Sequence, residues 1–158
     1  MSLEKAREYL KQFNLDHDIM VFDESSATVD LAARALHCEP CRIAKTLSFE
    51  GEYGPILIVA AGDTKIDNHK FKEHFHKKAK MLKPEVVEDL VGHAIGGVCP
   101  FGINEGVEVW LDSSLKRFDY VYPACGSSNS AIRLSVEDLF KISKAKDYID
   151  IAKETQCA

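Results

Sequence analysis

Along this chain, segments with apolar residues at helical spacing occur between shorter segments of extended type. The pattern predicts helices over residues 3–13, 25–38, 68–75, 84–92, 136–143 and 147–153. It predicts strands over residues 17–23, 42–49, 55–62, 107–112, 120–125 and 131–135. Helices and strands that mix without strict alternation are typical of an α/β protein of the α+β type. We therefore expect one domain over residues 1–158, with a curved mixed sheet of six or seven strands surrounded by helices.

Residues that favour helix starts and turns set the expected boundaries of these elements. Ser25 or Ser26 is expected to cap the second helix, and Asp67 and Ser135 are expected to cap two later ones. The turn over residues 51–54 suits a hairpin between two strands. The second strand of this hairpin is apolar at nearly every position, which predicts a central place in the sheet.

One lysine falls on the apolar face of a predicted strand. In residues 42–49 the alternate positions are Ile43, Lys45, Leu47 and Phe49. Because strand side chains alternate between faces, Lys45 points the same way as its three apolar neighbours. An isolated ammonium is costly to bury, so Lys45 must be paired, lose its proton, or face a cavity that receives an anionic group.

The charges of the chain are unevenly distributed. Its 158 residues are 46% hydrophobic, enough for a single core, and carry a formal net charge of −5. This charge argues against broad wrapping of nucleic acid, and we expect no DNA partner. Residues 69–83 nevertheless contain six lysines and three histidines against one acid. This basic segment is either a solvated helix face with its following loop, or a surface that receives phosphates.

No apolar run is long enough to span a membrane, and the N-terminus is charged and amphipathic. We therefore expect a cytoplasmic protein with no membrane partner. Five irregularly spaced cysteines indicate reduced thiols rather than a disulfide framework.

Cys38 and Cys41 are spaced as in zinc and redox sites, but no second close pair follows, because Cys99 and Cys125 stand alone. The pair also follows a helix, whereas a redox pair usually opens one. A zinc or thiol redox protein remains an alternative interpretation. We expect no metal and no cofactor.

Two loops have compositions that suit ligand binding. Residues 96–102 are rich in glycine, which lets successive backbone N–H groups face a ligand such as a carbonyl oxygen or an oxyanion. The same composition also suits a tight turn at a sheet edge. Residues 125–131 are small and polar, so they either form a turn or offer hydroxyl and amide groups to a ligand.

Four sequence pieces, in this order, resemble the YbaK/EbsC family of prolyl-tRNA-editing, ProX-like aminoacyl-tRNA deacylases. They are "AKTL" with Lys45, "AAGD", "GGVCPFG" and "YPACGSSNSAIRL". The resemblance covers essentially the whole chain. It implies trans-editing, in which a free-standing protein hydrolyses the ester of mischarged aminoacyl-tRNA without a cofactor.

The resemblance also implies roles for individual residues. The implied catalytic residues are Lys45, Gly96 and Gly97. The implied substrate-binding residues are Phe22, Thr46, Val98, Cys99, Pro100, Gly126, Ser127, Ser128 and Asn129. The ammonium of Lys45 would meet the phosphate near the 3′ end of the tRNA or the aminoacyl carbonyl oxygen. Water or a group of the substrate itself would attack the ester, because no protein nucleophile is evident.

The chain departs from the family at one position. Members that act on cysteinyl-tRNA tend to begin a strand with "GLDIEL", whereas this chain has "NSAIRL", with Ala131 in place of the acid. The resemblance therefore points to tRNA(Pro) that carries another small amino acid, alanine being one candidate. Prolyl-tRNA synthetase is a candidate partner. The alternative is a non-catalytic module that binds a tRNA end or a synthetase.

Overall fold

The computed structural model describes residues 2–155, which form five α-helices and ten β-strands. The helices are α1 (Ser2–Lys11), α2 (Val29–Leu36), α3 (Asn68–Phe75), α4 (Pro84–Val91) and α5 (Val136–Ile142). The strands are β1 (Met20–Val21), β2 (Ile43–Glu50), β3 (Pro55–Ala61), β4 (Thr64–Ile66), β5 (Glu108–Asp112), β6 (Tyr120–Pro123), β7 (Ser130–Ala131), β8 (Leu134–Ser135), β9 (Tyr148–Ile149) and β10 (Ala152–Glu154). Short 3₁₀ helices span Asp16–Asp18, Pro40–Arg42 and Ser113–Arg117. The predicted α+β class is confirmed.

The main sheet has six strands in the order β8-β6-β2-β3-β5-β9 and is curled. Strands β2 and β3 form the predicted antiparallel hairpin at its centre, and β6 and β5 flank them in parallel. Two further pairs, β1 with β7 and β4 with β10, are antiparallel and lie outside this sheet. The sheet is therefore mixed, as the sequence predicts.

Strand β3 is buried on both faces, which confirms its predicted central place. Leu57 and Val59 point into a core that includes residues of α1, α4 and α5. Ile56 and Ile58 point the other way, into a smaller cluster with Phe71 of α3. Helices thus cover both faces of the strand that pairs with the strand of Lys45.

The predicted helix over residues 147–153 is wrong, because this segment forms β9 and β10. Ile149 and Ile151 are both buried, a spacing of two that suits extended chain. The Asp112 carboxylate also accepts hydrogen bonds from the backbone N–H groups of Ile151 and Ala152, each at 3.0 Å. Long-range pairing with β5 and β4 therefore overrides the local helical pattern.

The second helix begins later than expected. Thr28 caps α2 by accepting the Leu31 backbone N–H at 3.2 Å, whereas the backbone N–H of Ser26 donates to the Ser128 carbonyl at 2.6 Å. Residues 25–28 thus lie outside the helix, and a distant loop binds them. Asp67 and Ser135 cap α3 and α5 as predicted. The predicted strand over residues 131–135 is divided between β7 and β8, and β4 was not predicted.

Candidate active site

A cavity of about 360 Å³ lies where β2 loses its neighbour in the sheet. Strand β6 pairs with β2 only at Ile43 and Ala44, so the edge of β2 is open from Lys45 onward. It is covered again further along, where the backbone N–H of Leu82 donates to the Ser48 carbonyl at 3.1 Å. The cavity fills the gap between these two contacts.

Four parts of the chain besides β2 wall this cavity. They are the start of α2, the end of the basic segment, the glycine-rich loop, and the β6–β7 connection. Their lining residues are Ser26, Ala27, Thr28, Val29, Ala32, Met81, Leu82, Ile95, Gly96, Val98, Tyr122, Ala124, Ser130 and Ala131. Strand β2 itself contributes residues 43–48. The described lining is thus largely small and apolar, and it contains no carboxylate.

Lys45 is half-buried in the cavity wall, and its ammonium donates a hydrogen bond to the backbone carbonyl of Thr64 in β4. Burial lowers the pKa of Lys45, and the nearby Asp63 carboxylate opposes this effect. Both a partner and a cavity therefore accompany the charge that the sequence places on an apolar face. An ammonium has three donors, so the bond to Thr64 leaves capacity for a ligand in the cavity.

Thr46 lines the same cavity beside Lys45. Its hydroxyl oxygen is buried, and among the described residues it has no hydrogen-bond partner. A buried hydroxyl without a partner costs about 1–3 kcal/mol, so such a group is normally retained for a reason other than folding. Among the described lining residues, it is the buried side-chain oxygen that has no partner within the chain.

The glycine-rich loop and the polar loop meet directly. Gly96 has a φ of +94°, which favours glycine, and it lines the cavity together with Val98. A Cβ on Gly97 would lie 2.5 Å from the backbone nitrogen of Ser127. Gly97 thus permits close approach of the two loops instead of lining the cavity.

The polar loop uses its hydrogen-bonding groups within the chain. The Asn129 side-chain amide donates to the Phe22 carbonyl at 2.9 Å, and the Phe22 N–H donates to the Asn129 carbonyl at 2.8 Å. The Ser127 hydroxyl lies 2.7 Å from that of Ser130, and the Ser128 carbonyl accepts from Ser26. The cavity lining therefore includes none of Phe22, Gly126, Ser127, Ser128 and Asn129. Of these residues, Ser128 binds the segment that leads into α2.

Cys99 and Pro100 also lie outside the lining. Cys99 is fully buried, and burial raises its pKa to about 12. Its thiol lies 3.5 Å from Nε2 of His93, which in turn lies 2.6 Å from the Phe101 carbonyl oxygen. His93 thus contacts two residues of the glycine-rich loop, Cys99 and Phe101, inside the protein core.

Of the twelve site residues expected from the sequence, four line the cavity: Lys45, Thr46, Gly96 and Val98. Sequence reasoning missed most of the wall, including Tyr122 and the start of α2. Two missed residues do have a local signal. Met81 and Ile95 are apolar residues within polar segments, and they are 55% and 58% exposed at the cavity.

The described residues contain no cluster suited to a metal ion. Cys38 and Cys41 are free and half-buried, and burial raises the pKa of each, which lowers its thiolate fraction. Cys157 lies outside the described residues. Within residues 2–155, none of the helices has the length and apolarity that crossing a membrane requires.

Comparison with known proteins gives this chain a family. The model of the aminoacyl-tRNA editing domain matches residues 23–142. Uncharacterized protein YwhH of Bacillus subtilis is 52% identical over 155 residues, which cover 98% of this chain and 99% of that protein. A crystal structure of a candidate trans-editing enzyme for prolyl tRNA synthetase has a TM-score of 0.87 at 28% identity, covering 96% of this chain and 97% of the other.

Proline–tRNA ligase of Thermosipho melanesiensis is 24% identical over 140 residues. The match covers 87% of this chain and 25% of the ligase, so the chain spans about a quarter of that relative. These matches confirm the resemblance drawn from the four sequence pieces and support editing of mischarged tRNA as the family's activity. The chain belongs to the family of aminoacyl-tRNA editing domains.

Proposed function

We propose that the protein hydrolyses the ester bond of mischarged aminoacyl-tRNA in trans, acting on tRNA(Pro) that carries a small non-cognate amino acid such as alanine. The observation that carries this proposal is Lys45, a charged residue in the wall of a cavity whose described lining contains no carboxylate. Such a site suits a ligand group that is negative or becomes negative during reaction.

Ester hydrolysis passes through a tetrahedral intermediate in which the carbonyl oxygen becomes an oxyanion. Lys45 donates to this oxyanion or to the phosphate beside the ester. Among the described lining residues, none is a histidine, cysteine, aspartate or glutamate that would act as nucleophile or base. Water therefore attacks the carbonyl carbon and gives up a proton, and the neighbouring ribose hydroxyl is the substrate group that orients this water. The ester C–O bond then breaks, the tRNA hydroxyl regains a proton, and the amino acid leaves.

The wall chemistry favours a small amino acid. Ala27, Ala32, Ala44 and Ala131 line the cavity, and Ala131 stands where family members that act on cysteinyl-tRNA tend to have an acid. An apolar pocket separates substrates that differ by one methylene by about 1–3 kcal/mol. Because a serine hydroxyl is costlier than a methyl group to bury against apolar walls, alanine is the candidate that we propose among the small non-cognate amino acids.

The basic segment supplies a route for the tRNA backbone. Met81 and Leu82 at its end line the cavity, and Lys78 and Lys83 nearby are exposed. Lys80 is less available, because it lies 3.5 Å from the Glu50 carboxylate. Phosphates that follow this segment lead the 3′ end toward Lys45, with binding driven by counterion release. Prolyl-tRNA synthetase is the candidate partner that would supply the tRNA, in keeping with the solved neighbour named for trans-editing.

The test is release of amino acid from tRNA(Pro) charged with alanine, cysteine, serine or proline. The wild-type protein is expected to release alanine selectively, and Lys45→Ala to release it about 100- to 1,000-fold more slowly. Lys65→Ala is the matched control, because Lys65 is exposed in β4 outside the cavity. Binding of charged tRNA without release by the wild-type protein would instead support the non-catalytic module.

A further inference from the structure

An ion pair between Asp63 and Arg117 lies near Lys45, outside the cavity lining. Arg117 binds the Asp63 carboxylate through both of its terminal nitrogens, with Nη2–Oδ1 at 2.6 Å and Nη1–Oδ2 at 2.9 Å. The Asp63 side chain is only 9% exposed. Hydrogen bonds from Arg117 hold the pKa of Asp63 below its usual range. A bidentate pair of this kind fixes direction as well as charge.

Three hydrogen bonds between described residues hold the backbone around Asp63, in the turn between β3 and β4. The Asp63 carbonyl accepts hydrogen bonds from the Thr155 backbone N–H at 2.7 Å and from the Thr155 hydroxyl at 2.8 Å. The Thr64 hydroxyl donates to the Ala61 carbonyl at 2.7 Å. The next carbonyl, that of Thr64, receives the ammonium of Lys45. The acceptor of Lys45 thus belongs to the turn that Arg117 and Thr155 hold.

Part of this brace lies beyond the segment that the family model matches. Strand β10 pairs with β4, with Glu154 opposite Thr64, and Glu154 also contacts Arg117 at 3.3 Å. The family match ends at residue 142. The segment that holds the turn is therefore supplied by the C-terminal part of this chain, which is also the part whose structure the sequence pattern mispredicted.

We propose that Asp63 and Arg117, held by β10, are positioning residues that fix the Lys45 ammonium at the cavity wall and set the charge beside it. The inference rests on the proposed role of Lys45 in ester hydrolysis. Asp63 supplies the negative charge next to a half-buried ammonium, and the Thr64 carbonyl supplies its direction. Both carboxylate oxygens of Asp63 bind Arg117, and the Lys45 ammonium keeps donors for substrate beyond its bond to Thr64.

The charged and titratable groups around this array come from four elements. They are Asp63 in the β3–β4 turn, Arg117 in the 3₁₀ helix after β5, Glu154 in β10 and Cys41 in the 3₁₀ helix before β2. Asp63 is the charge that acts on Lys45. Replacing it by asparagine removes this charge and preserves the shape of the side chain.

The first test is an NMR titration of the Lys45 ammonium in wild-type protein, Asp63→Asn and Asp150→Asn. Asp150 is the matched control, because it lies on the same C-terminal segment as β10 and forms an exposed ion pair with Lys70 of α3. Asp63→Asn is expected to lower the pKa of Lys45, whereas Asp150→Asn leaves it unchanged. An unchanged pKa of Lys45 in Asp63→Asn would overturn the proposal, whether or not the protein hydrolyses any ester.

The second test is the pH profile of alanine release. Asp63→Asn is expected to lower kcat by about 10- to 100-fold with little change in KM, and to move the alkaline limit of activity to lower pH. Arg117→Lys keeps the positive charge but loses the two-nitrogen contact to Asp63. It is expected to lower the rate of alanine release less than Arg117→Ala does. A purely structural pair would lower the melting temperature and leave the pH profile of the remaining activity unchanged, which would contradict the proposal. If the wild-type protein releases no amino acid, the proposed function is refuted, but the NMR titration still tests the effect of Asp63 on Lys45.

Discussion

Lys45 of β2 donates its ammonium hydrogen bond to the carbonyl of Thr64 in β4, although Ala60 of β3 is its partner in the sheet. The lysine therefore reaches past its own hairpin to a turn outside the main sheet. This relationship explains how a charge can occupy an apolar strand face. The ammonium has a fixed acceptor on one side and the cavity on the other.

Thr46→Val is expected to separate stability from activity. The Thr46 hydroxyl oxygen is buried without a partner among the described residues, so its replacement by a methyl group should raise the free energy of unfolding by about 1 kcal/mol. Release of alanine should fall if this hydroxyl binds substrate. Urea unfolding and deacylation rates measure the two effects.

Thr64→Val is the matched control for that prediction. Its hydroxyl donates to the Ala61 carbonyl at 2.7 Å and is buried, so the same substitution should lower the free energy of unfolding by about 1–2 kcal/mol. Loss of stability in Thr46→Val equal to that in Thr64→Val would show that the Thr46 hydroxyl is satisfied in solution.

Gly97→Ala is expected to disturb the contact between the two loops. A Cβ there would lie 2.5 Å from the Ser127 backbone nitrogen, and such overpacking costs about 1–3 kcal/mol. Ser127 adjoins Ser128, whose carbonyl binds Ser26 in the cavity wall, so displacement of this loop should lower deacylation as well. Gly106→Ala, where φ is +89° but a Cβ meets no atom within 4 Å, should lose some stability to backbone strain and retain activity. Equal activity of the two variants would show that the loop contact is unimportant.

The buried ring of His93 predicts a stability loss in mild acid. Burial lowers the pKa of His93 in the folded protein, whereas the unfolded ring titrates near its ordinary value of about 6.5. The unfolded state therefore binds the proton more readily, and the free energy of unfolding should fall as pH drops below about 6.5 and continue to fall down to the folded pKa.

Urea unfolding across this pH range measures the effect. His93→Gln should show a shallower pH dependence, because glutamine does not titrate. His17→Gln is the control, since the His17 side chain is 93% exposed. A wild-type slope in His93→Gln would assign the acid sensitivity to other groups.

The basic segment predicts a salt-dependent reaction. Lys78 and Lys83 are exposed close to the cavity, and each phosphate contact they make should contribute about one unit to the slope of log kcat/KM against log salt. Lys78→Ala with Lys83→Ala should flatten that slope without changing kcat. A slope equal to that of the wild type would place the tRNA backbone elsewhere.

Local signals in the sequence identify some parts of the site and not others. Lys45 is found because strand periodicity is local and a charge among apolar positions is conspicuous. The cavity itself depends on β6 leaving β2 after Ala44 and on the Leu82 contact to Ser48, which are long-range events. No local pattern encodes where a neighbouring strand ends.

The polar loop and the C-terminal segment show the same limit. The composition of residues 125–131 indicates hydrogen-bonding groups that are free for a ligand. The side-chain amide of Asn129 instead donates to the Phe22 carbonyl. In residues 147–153, Asp112 binds two backbone N–H groups from 35 or more positions away. Side-chain partners at such separation decide both outcomes, and a single sequence does not reveal them.

The most direct test of the central claim is single-turnover deacylation of alanyl-tRNA(Pro) by wild-type protein and by Lys45→Met, which keeps the side-chain length without the charge. Loss of one oxyanion donor predicts a rate about 100- to 1,000-fold lower at equal substrate binding. A Lys45→Met protein that hydrolyses the ester at the wild-type rate would contradict the assignment of Lys45 as the residue that acts on the ester.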